Sequence, residues 1–339
     1  MRICICGGGS LGHVCAGVLS SRAGVELSLL TSRPEQWSSQ ITVRDPDGRS
    51  FRAAIKHISA NPEDVIVGQD IILLCLPGFM LKKTLQQIRP FVGKAIVGSI
   101  VSSTGFFFFA HQILGKDARV FGFQRVPFIA RVEEYGKSAR LLGYKKELFM
   151  AAENIPQSEK FCQKIEQLFR TPIIFSENIY EVALSNSNPI LHTGRLYTIF
   201  SGRENKVFDA PVFFYKSWTD DASRLVLAMD EELFCLLDVL DVHGIKRLAD
   251  YYESPNASAL TRKIRSIEAF QTILTPMVPV DGGWKADYDS RYFTEDFPYG
   301  LRWIREEAEA KGIHMPNINR VYEWGMKCLI RAGNTADRK

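Results

Sequence analysis

The residues best suited to chemistry near the start of the chain form a glycine-rich loop. Its sequence is Gly7-Gly8-Gly9-Ser10-Leu11-Gly12. The loop follows a segment typical of a strand and opens a segment typical of a helix, the context in which G-x-G-x-x-G binds a dinucleotide. There Gly7 permits a tight turn, Gly9 lets a pyrophosphate approach the backbone, and Gly12 lets helix and strand pack closely. The first helical amides, those of Ser10 and Leu11, would face the phosphate charge. The loop predicts dinucleotide binding, with a ligand-free glycine turn as the alternative.

The end of the second predicted strand indicates which dinucleotide is bound. An NAD site usually carries a carboxylate there for the ribose diol. This chain has Thr31, Ser32 and Arg33, with no carboxylate before Glu35. A carboxylate would repel a 2′-phosphate, whereas hydroxyls and a guanidinium suit one. The residues favour NADP; NAD remains open, with Arg33 then a solvated loop residue. Pro77, after a later buried strand, is expected at the same edge beside the cofactor.

Two segments in the second half carry candidate acid–base chemistry. Among the six histidines, His192 differs because it lies in a polar stretch, residues 185–192, on a predicted helix. A lone helical histidine is more often structural, so this signal is weak by itself. Residues 289–300 combine an arginine, acidic residues and four aromatic residues within twelve positions. A solvated helix would not carry so many aromatics and a core helix would not carry the charges, so a site wall is favoured over a domain interface.

The elements that must position these residues change character along the chain. Strands are predicted at 2–6, 25–31, 41–45, 51–55, 70–76, 94–100, 119–123, 148–152 and 172–175. Helices are predicted at 11–23, 81–88 and 156–169, and then at 181–200, 219–243, 260–274, 299–310 and 320–332. Continuous apolar strands alternating with helices indicate a doubly wound parallel α/β sheet covered on both faces. We therefore predict a cofactor domain over 1–180 and an all-helical substrate domain over 181–339, with a polar tail from Gly333.

Composition excludes several classes of protein. The 339 residues suggest two domains, and 42 basic minus 38 acidic residues give a net charge of +4 spread along the chain. This distribution favours neither a nucleic acid nor an anionic membrane as partner. The longest apolar run, 71–81, is too short to span a bilayer, and no export signal is visible, so a cytoplasmic protein is expected. Seven cysteines without zinc spacing are expected to be reduced and buried, and no metal site is predicted.

Three motifs in order along the chain resemble those of the octopine/nopaline (opine) dehydrogenase family. They are the glycine loop, Asn-x-Asn-Pro-x-x-His at 186–192 and Arg-Tyr-Phe-x-Glu-Asp-x-Pro at 291–298. The resemblance implies a Rossmann domain followed by a helical domain. It also implies an NAD(P)-dependent reductive condensation of an α-keto acid with an amino acid. By the same resemblance His192 is the catalytic histidine, Asp296 is its acidic partner, and Arg291 grips a substrate carboxylate.

Two alternatives remain open from the sequence. One is a ketopantoate-reductase-like or other 2-hydroxy or keto acid dehydrogenase, but such enzymes use a lysine in the helical domain and residues 181–200 contain none. The other is a non-catalytic NADP(H)-binding sensor, against which the retained His192, Arg291 and Asp296 argue. The helix predicted at 219–243 could supply a homodimer interface, although internal packing is the expected use of its apolar stripe.

Overall fold

The structure is a computed structural model that describes residues 1–103 and 105–333. The chain forms two compact units, one ending at Ala183 and the other beginning at Leu184. The polar tail predicted from Gly333 lies, beyond Gly333 itself, outside the described residues.

The first unit contains a sheet of eleven strands. The strands are β1 Arg2–Cys6, β2 Glu26–Leu30, β3 Gln40–Arg44, β4 Ser50–Ser59, β5 Ile71–Leu74, β6 Ile96–Ser99, β7 Val120–Phe123, β8 Phe128–Glu134, β9 Ser138–Tyr144, β10 Leu148–Glu153 and β11 Ile173–Ser176. Their order is β11-β10-β7-β6-β5-β1-β2-β4-β3-β9-β8. The run from β7 to β4 is parallel throughout, which confirms the predicted parallel sheet. The central strand β5 is apolar and buried along its whole length, and β1 and β2 are buried from their second residue onward, because both faces are covered.

Six helices belong to this unit. They are α1 Ser10–Ser20, α2 Pro62–Ile66, α3 Gly78–Ile88, α4 Phe106–Leu114, α5 Ser158–Phe169 and α6 Ile179–Ala183. Residues 12–19 of α1 are all buried. One side of α1 meets β3, where a Cβ on Gly17 would lie 2.5 Å from Val43. The hairpin β8–β9 and α5 join the same core, in which the rings of Phe128 and Phe169 stack at 5.9 Å. The small, apolar composition of α1 follows from this enclosure.

The second unit is mainly helical. Its elements are α7 Asn188–Phe200, α8 Asp220–Val239, α9 Leu248–Tyr251, α10 Ala257–Ser266, β12 Met277–Val280, β13 Gly283–Ala286, α11 Arg291–Thr294, α12 Arg302–Ala310 and α13 Pro316–Arg331. A wide π-type turn, Phe297–Leu301, leads into α12. The pair β12–β13 is a hairpin that the helical pattern did not predict. The helix predicted over 181–200 is interrupted, because Pro189 stands in the first turn of a new helix.

Burial agrees with the predicted core except at a few positions. On α8, Leu225, Met229, Leu233 and Leu236 are buried, whereas Leu240, just beyond its end, is half-buried. The cysteines are all free thiols, and six are buried as expected. Cys235 corrects that expectation, because it lies on the solvent side of α8 and is exposed. Within the described ranges, no helix is both long and apolar enough to cross a membrane.

Candidate functional site

The glycine loop fits a dinucleotide phosphate. Gly7 has φ +120°, which only glycine adopts readily, and its N–H donates to the carbonyl of Leu30 at 3.0 Å. A Cβ on Gly12 would lie 2.0 Å from the Gly7 oxygen, so helix and loop are in close contact there. A Cβ on Gly9 would meet nothing within 4 Å, and no side chain caps the N-terminus of α1. The loop thus presents open space beside helix amides, the arrangement that accepts an anion.

His13 holds this loop in place, a role that no sequence pattern predicted. Its ring is fully buried, Nδ1 lies 2.9 Å from the carbonyl oxygen of Gly9, and Nε2 lies 2.8 Å from the backbone nitrogen of Gly136. Because Gly136 N–H donates, Nε2 must accept, and the proton must be on Nδ1. Burial lowers the pKa of His13, which keeps this neutral tautomer. The histidine therefore ties the glycine loop to the β8–β9 turn.

The residues predicted to contact the ribose lie at the end of β2. Thr31 is buried, while Ser32 and Arg33 are exposed. The Arg33 guanidinium lies 5.9 Å from the ring centre of Tyr135, in the β8–β9 turn. A Cβ on Gly8 would lie 2.6 Å from the Tyr135 hydroxyl and 2.8 Å from the Thr31 hydroxyl. Tyr135 is thus a residue of the cofactor edge that the sequence did not reveal.

The remaining cofactor candidates lie on the same edge. The sheet order β5-β1-β2 is parallel, so the carboxyl ends of these strands are adjacent. Pro77 follows β5 there and precedes α3. Leu11 is half-buried in the first turn of α1. The Ser10 hydroxyl accepts the backbone N–H of Val132 at 3.2 Å, which leaves the hydroxyl proton and the backbone N–H of Ser10 as donors toward a phosphate.

The second unit brings together His192 and Asp296, which are 104 residues apart in sequence. His192 lies on α7, and Asp296 directly precedes the π-type turn. Nδ1 of the imidazole lies 2.8 Å from a carboxylate oxygen of Asp296, and the two side chains are 12% and 18% exposed. The ring of Tyr292 packs against His192 with centroids 4.5 Å apart. The carboxylate can orient the ring by accepting a hydrogen bond from Nδ1–H.

The hydroxyl of Tyr215 occupies the other side of the imidazole. Its oxygen lies 3.1 Å from Nε2 of His192. Tyr215 is 7% exposed, and burial raises its pKa, with Tyr292 as the next largest cause. No local pattern around residue 215 indicated this contact.

Arg291 is close in sequence to these residues but is held by another partner. Its guanidinium makes a two-pronged pair with Glu295, with Nε to Oε1 at 2.9 Å and Nη2 to Oε2 at 2.7 Å. The Arg291 side chain is 80% exposed, and the Glu295 side chain is only 12% exposed. Glu295 raises the pKa of Arg291. A substrate carboxylate would therefore have to share this guanidinium with Glu295. No cluster of potential metal ligands occurs in residues 1–103 or 105–333.

Two family models match the chain. Residues 175–329 match the alpha-helical domain of NAD/NADP octopine/nopaline dehydrogenase. Residues 3–102 match the ketopantoate reductase family.

Curated relatives and solved structures match almost the whole chain. An octopine dehydrogenase of Mizuhopecten yessoensis is 26% identical over 360 residues, covering 96% of this chain and 90% of that protein. A tauropine dehydrogenase of Arabella iricolor is 27% identical with the same coverage, 96% and 90%. A solved octopine dehydrogenase with NADH and L-arginine superposes with a TM-score of 0.86 at 23% identity, covering 98% of this chain and 90% of that chain.

The fold, the glycine loop and the two family matches together define the class of protein. It is a nicotinamide-dinucleotide-dependent oxidoreductase with a Rossmann-like sheet and a helical region. The chain is similar over almost its whole length to octopine and tauropine dehydrogenases, and residues 175–329 match the helical domain of the octopine/nopaline dehydrogenase family. This confirms the resemblance seen in the motifs at 186–192 and 291–298.

Proposed function

We propose that the protein condenses an α-keto acid with the amino group of an amino acid and reduces the product to a secondary amine. The observation that carries this proposal is the contact between His192 and Asp296, 2.8 Å in length, in a half-buried site walled by aromatic rings. Octopine and tauropine dehydrogenases among the relatives support the same reaction class. Both substrates are small molecules.

Each residue of this site has a distinct task in the proposed reaction. Asp296 accepts a hydrogen bond from Nδ1–H of His192, which fixes the ring tautomer and leaves Nε2 to exchange the proton. His192 acts as general acid toward the imine nitrogen and as general base in the reverse direction. Arg291 orients the keto acid through its carboxylate, sharing its guanidinium with Glu295. The chemistry that a reduced nicotinamide supplies when bound is a hydride.

The cofactor is held by the glycine loop and by the neighbouring strand ends. Gly7, Gly9 and Gly12 shape the loop, and the amides of Ser10 and Leu11 face the pyrophosphate. We further propose NADP rather than NAD, because the end of β2 carries Thr31, Ser32 and Arg33 in place of a carboxylate. Pro77 borders the same edge. The solved octopine dehydrogenase described above contains NADH, so the proposed preference for NADP rests on the residues of this chain.

A second candidate is reduction of a keto acid without an amine. The match of residues 3–102 to ketopantoate reductase favours it. The helix α7, which carries His192, contains no lysine of the kind that such reductases use. A homodimer and a cytoplasmic location remain predictions from the sequence.

The decisive experiment monitors oxidation of NADPH and of NADH with pyruvate or 2-oxoglutarate against a panel of amino acids. A control contains the keto acid alone. Turnover that requires both substrates is expected. Turnover with the keto acid alone would instead establish the simple reductase, and tight cofactor binding without any turnover would establish a sensor.

The variant His192→Ala tests the acid–base assignment. Turnover should fall by about 10²–10⁴-fold, since this is the usual contribution of a general acid or base. Cofactor affinity should stay within about twofold, because the loop that binds the phosphates lies at the first strand. Wild-type turnover in this variant would remove His192 from the mechanism.

A further inference from the structure

The ring nitrogen of His192 that Asp296 does not contact is the one that must exchange protons with substrate. That nitrogen, Nε2, lies 3.1 Å from the Tyr215 hydroxyl. We propose that Tyr215 is a further catalytic residue, whose hydroxyl carries the proton between His192 and the substrate nitrogen. This inference rests on the proposed function and adds a member to its proton path.

The imidazole is not free to turn away from Tyr215. Its Nδ1 is fixed by Asp296 at 2.8 Å, and a half-turn of the ring would break that contact. The ring also packs on Tyr292 at 4.5 Å and against the edge of Phe214 at 5.6 Å. Nε2 therefore continues to face the Tyr215 hydroxyl.

The phenol ring of Tyr215 is confined as well. It stacks on Phe270 with centroids 4.2 Å apart and planes 20° apart. It is also parallel to the ring of Trp218, three residues later, with centroids 6.0 Å apart and planes 9° apart. A ring stacked in this way loses its freedom to swing, which places its hydroxyl on Nε2 before any substrate binds.

Two arginines fix the backbone on either side of this ring. Arg195, one turn after His192 on α7, donates from Nε to the Phe214 carbonyl at 2.9 Å and from Nη2 to the Ser217 carbonyl at 2.7 Å. Arg265 donates to the Trp218 carbonyl at 2.7 Å. Arg195 is 3% exposed, and its guanidinium binds backbone carbonyls, an expensive use of a buried cation. The contacts of Arg195 with Phe214 and Ser217 fix the position of Tyr215 relative to α7.

The proposed path consists of two proton transfers that leave Tyr215 in its starting state. Hydride addition to the imine carbon leaves an electron pair on nitrogen, and that pair takes the proton of Tyr215. As this O–H bond breaks, the phenol oxygen takes the Nε2 proton of protonated His192. Tyr215 is unchanged, His192 becomes neutral, and solvent supplies the one proton that the overall condensation consumes. Because burial raises the pKa of Tyr215, a lasting phenolate is disfavoured and the two transfers occur together.

The test compares Tyr215→Phe with a matched control. Phenylalanine keeps the stacked ring and removes only the hydroxyl. Tyr288→Phe removes a hydroxyl from a half-buried tyrosine of the same unit, one that donates to the Glu204 carbonyl at 3.3 Å, and is the control. In Tyr215→Phe the single-turnover hydride-transfer rate should fall by about 10²-fold or more. Its cofactor Kd by calorimetry and its thermal midpoint should match those of the control.

A proton inventory distinguishes a relay from mere positioning. In mixtures of H₂O and D₂O, two protons moving together give a curved dependence of the wild-type rate on deuterium fraction. A linear wild-type inventory, or a Tyr215→Phe rate within threefold of wild type, would overturn the relay even though the wild type still condensed its two substrates. Absence of wild-type turnover with any keto acid would instead refute the proposed function, and the relay with it.

Discussion

Alanine at Gly9 and at Gly12 should have opposite consequences, and the contrast tests the cofactor loop directly. Gly9 has φ −82° and ψ −173°, a conformation that alanine adopts, and its added methyl would enter open space. Gly12 lies within α1, where an added methyl would meet the Gly7 backbone oxygen at 2.0 Å. Gly9→Ala should therefore weaken only the binding of the cofactor, whereas Gly12→Ala should destabilise the fold.

The magnitudes follow from these contacts. Real Cβ contacts begin near 3.0 Å, so Gly12→Ala must move α1 and the loop apart by roughly 1 Å. Overpacking of this kind costs about 3 kcal/mol at the upper end, and alanine returns about 1 kcal/mol in helix propensity. The net loss of about 2 kcal/mol corresponds to a fall in Tm of roughly 4–8 °C. Gly9→Ala should leave the apo protein unchanged or up to about 1 kcal/mol more stable.

Thermal unfolding with and without NADPH measures both effects. At 100 times the wild-type Kd, the cofactor should stabilise the wild type by about 2.7 kcal/mol. If Gly9→Ala weakens binding tenfold, the same concentration stabilises the variant by only about 1.4 kcal/mol. Gly9→Ala with wild-type affinity would show that phosphates do not approach the loop at this residue. Gly12→Ala with an unchanged Tm would refute the packing argument.

Three further predictions concern other groups. Arg33→Ala should raise the Kd for NADPH about tenfold and leave the Kd for NADH within about twofold, as measured by calorimetry. Equal effects on the two Kd values would show that Arg33 does not bind the 2′-phosphate. Burial raises the pKa of Asp230 to about 6, against the lowering effect of the Leu248 N–H. Its charged form therefore weakens the fold as pH rises from about 4 through 6, by up to about 3 kcal/mol. The stability of Asp230→Asn relative to wild type should grow over that range, and a pH-independent difference in Tm would refute this reasoning. Of the seven cysteines, Cys235 alone is exposed, so a thiol reagent should label one cysteine rapidly in the native protein, and rapid labelling of more would contradict the burial of the others.

The central sheet was predictable because its signals are local. Strands such as β5, Ile71–Leu74, are short apolar runs between polar or glycine-containing segments, and every residue of β5 is buried. The hairpin β8–β9 was missed because its pattern is mixed: Phe128 and Ala130 are buried, whereas Ile129 is 49% exposed at the sheet edge. Its place is set by pairing with β3, nearly a hundred residues earlier, which no local period encodes. The helix α4 was also missed. Its first four residues are phenylalanines that are all buried, so the sequence shows no alternation of apolar and polar positions with a helical period.

The candidate site was predictable only where motifs carry it. The glycine loop and the segments around His192 and Asp296 have characteristic residues in order. His13 and Tyr215 have none, because their importance comes from partners 123 and 23 residues away. A lone histidine after a glycine loop or a lone tyrosine in an aromatic stretch is ordinary until the fold shows what each contacts. Arg291 shows the converse: its motif is clear, but its pairing with Glu295, four residues later, was not predicted.

The contact between His13 and Gly136 has a consequence for the order in which the chain can fold. The glycine loop is synthesised before the β8–β9 turn, and its fastening to the backbone at Gly136 joins residues 123 positions apart. Contacts of such long range form late and slow the search for the native state. The face of α1 that packs on β8 and β9 therefore stays uncovered until the β8–β9 turn has been synthesised. Deletion of that turn should leave the glycine loop without its fastening to Gly136.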